Sequence, residues 1–160
     1  MLFRSSNEEN DIWVAQNGEI YNFLGLMEQL KRAGHHFRSR SDTEVLVHLY
    51  EEKGEKFVDD LNGMYAIAIW DGKNRKGILA RDRVGKKPLY YHLSDKGVLY
   101  FASEIKSLLT LPFFRRSICP SALHHYLSYK HIPAPLSIFE GIQILPPRSE
   151  ERRVGKECRL

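Results

Sequence analysis

The chain has 160 residues, 42% hydrophobic, 28% charged and 11% aromatic, with a net charge of +4 and a sequence pI near 9.1. That is the composition of one globular domain, and it excludes a disordered or fibrous chain. No apolar run approaches the roughly 18 residues that cross a bilayer, and two cysteines, Cys119 and Cys158, are too few for a disulfide scaffold or a structural zinc site, so a reducing, cytoplasmic setting is expected.

The N-terminal string MLFRS and the C-terminal string RSEERRVGKEC both resemble translations of common sequencing adapters. Residues 1–5 and 148–160 are therefore expected to be foreign to the domain, and residues 6–147 to be an internal piece of a longer gene product. The tail holds Arg148, Arg152, Arg153, Lys156 and Arg159 against Glu150, Glu151 and Glu157, and the head holds Arg4. Without them the net charge falls from +4 to +1. Most of the basicity that would suit nucleic acid or an anionic membrane lies in these ends.

Residues 12–16 (IWVAQ) are predicted to form a strand running into Asn17-Gly18. Residues 22–33 place Phe23, Leu26, Met27 and Leu30 on one helical face, with Gly34 as the stop. Ser41-Asp42-Thr43-Glu44 reads as a capping box ahead of a helix over 43–53 that buries Val45, Leu46, Leu49 and Tyr50. A short helix over 57–61 ends near Asn62-Gly63. The period then changes to that of strands, at 64–70, 77–80, 88–93 and 98–102, before helices at 104–109 and 120–129. Strand, helices, hairpins, helices is the order of antiparallel sheets covered by helices, an α+β architecture rather than a doubly wound one.

Asn17-Gly18-Glu19-Ile20-Tyr21-Asn22 is the strongest local signal. Asn-Gly after a β run is most often a turn, yet no clean return strand follows. A side-chain amide beside the N–H of a glycine also offers two neutral donors to a developing oxyanion. Asp42 at a helix start caps that helix and is also suited to holding a substrate ammonium. Residues 81–91, Arg-Asp-Arg-Val-Gly-Lys-Lys-Pro-Leu-Tyr-Tyr, read foremost as a solvated charged turn, with phosphate or base binding the weaker alternative. The adjacent pairs His35–His36 and His124–His125 are poor chelates because neighbours do not share a face, and no metal site is assigned. Cys119, before Pro120 at a helix start, is read as an ordinary thiol.

NGEIYN, SDTE, LNGMYAIAIWD, ARDRVGKKPLYY and YFASEIKSLL, in that order, resemble the glutaminase domain of glutamine-hydrolysing asparagine synthetases, and Ile132-Pro133-Ala134-Pro135 with residues 137–142 and 145–147 extends the match. The resemblance implies the N-terminal-nucleophile hydrolase fold, an αββα sandwich of antiparallel sheets, here lacking its N-terminal part. Residues 6–117 would form the partial class II glutaminase domain, and 118–147 its C-terminal part leading toward an absent synthetase domain. It further implies an N-terminal cysteine that attacks the side-chain amide of glutamine with its own α-amine as base. Asn17 and Gly18 would form the oxyanion hole, and Glu19 and Asp42 would join them in holding glutamine. Ammonia would then serve an ATP- and Mg2+-dependent domain that converts aspartate to asparagine, AMP and pyrophosphate.

The family's N-terminal cysteine, its Arg-His-Arg-Gly-Pro-Asp segment and its Ser-Gly-Gly-x-Asp-Ser ATP loop have no counterpart in the sequence. The cysteine and the arginine segment are expected upstream of residue 6 and the ATP loop downstream of 147. The chain by itself is therefore expected to be inactive, with no cofactor of its own, no nucleic-acid or membrane partner, and homo-oligomerisation left open. Another class II amidotransferase with a different carboxylate acceptor, a non-catalytic relative, and a nucleic-acid-binding module are the alternatives.

Overall fold

A computed structural model describes residues 3–147 and 150–154. Cys158 lies outside them. Five strands make the larger sheet, in the order β1 (Phe3–Ser6), β2 (Ile12–Ile20), β3 (Gly63–Asp71), β4 (Lys76–Arg81) and β8 (Glu150–Val154). Three make the smaller: β6 (Leu99–Ala102), β5 (Tyr90–Leu93) and β7 (Gln143–Ile144). All pairings are antiparallel.

One face of the larger sheet carries the helices α1 (Phe23–Arg32) and α2 (Asp42–Lys53) and a 3-10 turn, Gly54–Asp60. Val14, Ile20, Tyr65, Ile67, Ile69, Ile78 and Ala80 meet Leu26, Leu30, Leu46, Leu49 and Phe57 there in one core. On the opposite face Ala66, Ala68 and Leu79 pack against Leu89, Tyr91, Leu99 and Leu145 of the smaller sheet region. The central strand β3 is apolar on both sides because it is buried on both sides, which is why MYAIAIW reads as a continuous run. Helices α3 (Ile105–Leu108) and α4 (Pro120–Tyr129) follow the second sheet.

Local chemistry sets the element ends. Helix α1 stops in a Schellman turn: His35 N–H bonds Leu30 O at 3.0 Å and Gly34 N–H bonds Lys31 O at 3.1 Å, with Gly34 at φ +102°. Helix α2 starts at Ser41, whose Oγ accepts from Thr43 N–H at 3.2 Å. The reciprocal half of the expected capping box does not form. Glu44 instead accepts the N–H groups of Arg38 (2.7 Å) and Ser39 (2.8 Å) and the Ser39 hydroxyl, closing the loop ahead of the helix.

Two further expectations change. Asn17-Gly18 is no turn: β2 continues through it to Ile20. The loop after β4 is not a solvated turn either. Arg81 donates to the carbonyls of Lys87 (2.6 Å), Leu145 (2.6 Å) and Gly85 (2.7 Å). Asp82, 1% exposed, accepts N–H groups from Val84, Lys86, Lys87 and Tyr65. Burial disfavours the Asp82 anion, but those four N–H donors outweigh it and hold the carboxyl below its ordinary range. Arg83 and Lys86 remain exposed, while Arg81 is spent inside the fold.

The two edges of the larger sheet are β1 and β8, and residues 3–5 of the first and all of the second lie within the ends expected to be foreign. A sheet edge pairs through backbone groups, with little demand on side-chain identity.

Candidate active site

Strand β2 presents its residues alternately to two layers. Val14 and Ile20 face the helices, and Gln16 follows them. Trp13, Ala15 and Asn17 face the other way, toward the second sheet. Asn17 there lines a cleft of about 720 Å³ with Ala66, Leu89, Phe101, Ser103 and Glu104. Among the described residues no hydrogen bond engages its carboxamide. Glu19 is exposed further along the strand.

Gly18 is fixed by close approach. Its φ is +144°, and a Cβ there would lie 2.0 Å from Met64 O. Only glycine fits that backbone.

The direction of its N–H follows from the ladder. Tyr21 N–H bonds Asn62 O at 2.7 Å. Antiparallel pairs alternate between bonded and non-bonded, so Gly18–Tyr65 and Ile20–Gly63 are non-bonded pairs. Tyr65 agrees, because its N–H and O both serve Asp82 on the β4 side. The N–H groups of Gly18 and Ile20 therefore both project from the opposite edge of β2, where β1 pairs no further than Phe3 opposite Gln16 among the described residues.

Asp42 sits at that edge. Its Oδ2 accepts Ile20 N–H at 3.0 Å and Gln16 Nε2 at 2.8 Å. Gly18 N–H and the N–H that anchors Asp42 are two residues apart, about 7 Å along an extended strand. One edge thus offers, at one point, a backbone donor with no partner among the described residues and a carboxylate a glutamine side chain's length away. The first suits an oxyanion and the second an ammonium. The structure brings Asn17, Gly18 and Asp42 to one strand end but not to one face: Asp42 enters from the helix layer and the Asn17 side chain belongs to the cleft.

Two contributors escaped the sequence reading. Gln16, fully buried, ties the Asp42 carboxylate to β2, and its Oε1, like Thr43 Oγ1, has no hydrogen-bond partner among the described residues. A polar residue in phase with Val14 and Ile20 was the available signal. Asn22 donates to Asp60 O (2.8 Å) and accepts Asn62 N–H (3.0 Å), so the end of NGEIYN clamps the start of LNGMY. Cys119, partly exposed at the N-cap of α4, lies 3.1 Å from Ser121 Oγ. That hydrogen bond and the N–H of Ala122 hold the thiol below its ordinary range.

Among the described residues no helix is long and apolar enough to cross a membrane. The family model of a glutamine amidotransferase domain matches residues 5–156. Over 106 residues the chain is 55% identical to asparagine synthetase [glutamine-hydrolyzing] 2 of Bacillus subtilis, covering 66% of this chain and 14% of that one. Over 145 residues it is 38% identical to asparagine synthetase [glutamine-hydrolyzing] 1 of the same organism, covering 91% of this chain and 23% of that one. The chain thus spans less than a quarter of these relatives. Among solved structures, the glutamine phosphoribosylpyrophosphate amidotransferase of B. subtilis superposes with a TM-score of 0.54 at 32% identity, covering 68% of this chain and 25% of that one. The expected sandwich of antiparallel sheets between helices is the N-terminal-nucleophile hydrolase fold of that enzyme. The curated relatives it resembles are thus glutamine-hydrolysing asparagine synthetases, and the chain belongs to the glutamine amidotransferase domain family.

Proposed function

We propose that this chain carries the glutamine-holding half of a glutaminase whose parent protein passes ammonia to an ATP- and Mg2+-dependent amidation of aspartate, yielding asparagine, glutamate, AMP and pyrophosphate in the cytoplasm. The observation that carries the reading is the pair of N–H groups projecting from one edge of β2, with Asp42 seated on the second. In it the Gly18 N–H and the Asn17 amide stabilise the tetrahedral oxyanion, Asp42 binds the α-ammonium, and Glu19 closes the site from the exposed end. Gln16 keeps Asp42 in place. The native domain corresponds to residues 6–147, with 118–147 leading toward the synthetase portion. Another class II amidotransferase, with a different carboxylate acceptor in place of aspartate, is the second reading; the likeness to a phosphoribosylpyrophosphate amidotransferase supports only that this fold serves more than one acceptor.

The 160-residue chain contains no N-terminal cysteine, and Cys119 is internal. It is expected to release no glutamate from glutamine, and turnover by the purified chain would overturn that. In the complete gene product, glutamine-dependent asparagine formation is expected. Asn17→Ala should lower glutaminase kcat by about 10²–10³-fold while ammonia-dependent synthesis persists. An unchanged glutaminase kcat would remove Asn17 from the oxyanion hole, and amidation of another acceptor would select the second reading.

A further inference from the structure

Three donor atoms from two elements converge away from the candidate active site. His35 Nδ1 and His48 Nδ1 are 3.1 Å apart. Glu51 Oε2 is 3.1 Å from the second and 3.6 Å from the first. A point equidistant from the corners of that triangle lies about 1.9 Å from each, so an ion displaced slightly from the plane reaches the 2.0–2.2 Å that zinc takes with imidazole nitrogen and carboxylate oxygen.

The supporting shell has the form of a metal site. His35 Nε2 faces Glu52 Oε1 at 2.9 Å. Glu51 Oε1 accepts Asn7 Nδ2 at 2.9 Å. His48 Nε2 faces Glu44 Oε1 at 3.9 Å, and the edge of Phe37 packs on the His48 ring with centroids 4.5 Å apart. Each imidazole thus turns one nitrogen inward and the other toward a carboxylate, which fixes the tautomer a metal requires. Glu44 is itself held in place by the Ser39 hydroxyl and the N–H groups of Arg38 and Ser39.

The local structure delivers these atoms. The Schellman turn swings His35 back toward α2, and His48 and Glu51 lie one turn apart on that helix. Neither adjacent histidine pair chelates. The cluster joins residues that no short motif connects.

We infer that His35, His48 and Glu51 form a binding site for a first-row divalent cation, with zinc the best match to two imidazoles and one carboxylate. The partly exposed His35 and Glu51 leave the fourth position to solvent. Bound there, the ion fastens the exit of α1 to α2 and, through Glu51 and Asn7, to the β1–β2 turn. The site lies almost two helical turns from Asp42, and the inference does not depend on the glutaminase reading.

The test is titration of the untagged, chelator-treated chain carrying Cys119→Ser and Cys158→Ser with Co2+, then with competing Zn2+. One equivalent should give the visible absorption of four-coordinate cobalt, and Zn2+ should displace it and raise the thermal midpoint. His35→Gln and Glu51→Gln, each checked for native far-UV circular dichroism without metal, should weaken binding by about 100-fold or more. A His124→Gln/His125→Gln variant should bind as the parent does. Absence of saturable Co2+ binding, unchanged affinity in both His35→Gln and Glu51→Gln, or loss of binding in the His124/His125 variant would each overturn the site.

Discussion

The two faces of the five-stranded sheet are built differently. On the helix side, Val14, Ile67, Ile69 and Ile78 are almost wholly buried beneath α1, α2 and Phe57. On the other side the smaller sheet covers β3 and β4 but leaves Trp13 43% exposed, and Ala15, Phe101 and Arg4 line open clefts. The same strands thus carry a finished core on one face and a binding surface on the other. Stability resides in the first, and the second is free to hold a ligand or another part of a longer protein.

The difference is open to direct attack. Phe57→Ala removes a fully buried ring from the helix-side core and should lower unfolding free energy by about 3–5 kcal/mol in urea titrations. A smaller loss would mean that this core is looser than its burial suggests. Acid should act next. Asp82 and Glu44 are held below the ordinary carboxylate range, as is Asp71, where burial opposes the anion but the Asn74 and Tyr50 hydrogen bonds prevail. The unfolded chain then binds more protons than the folded one, so stability is fully present above the ordinary carboxylate values and falls as pH drops through about 4. Urea midpoints measured from pH 7 to 3 should decline, and less steeply in Asp82→Asn. Equal slopes would show that the loop after β4 contributes nothing to acid sensitivity. Trp13→Ala, on the open face, should change stability by only about 0.5 kcal/mol. A loss matching that of Phe57→Ala would erase the distinction between the faces.

Much of the architecture was legible because burial leaves periodic traces. The leucines of α1 repeat at helical spacing, and β3 reads as a continuous apolar run. Asn17-Gly18 misled because such dipeptides usually serve hairpins. Yet Val14, Gln16, Gly18 and Ile20 keep the two-residue alternation of a strand, and the local turn preference loses to it. The edge strands β1 and β8 left no trace because edges pair through backbone. Asp42 could be read as a helix start, but its bond to Ile20 N–H depends on where β2 ends in space. The histidine cluster was illegible for the same reason: a turn of a few residues at Gly34 decides which way His35 points.

The glycines of β2 and β3 also decide how the sheet assembles. A Cβ at Gly18 would strike Met64 O at 2.0 Å, and one at Gly63 would strike Glu19 O at 2.2 Å. Sliding either strand by two residues would preserve the alternation of faces, yet bring side chains into both gaps. The pair therefore acts as a register lock: a mis-aligned β2–β3 ladder meets a steric barrier. Gly18, whose N–H projects from the strand edge, is thus also a residue that rejects the wrong alignment.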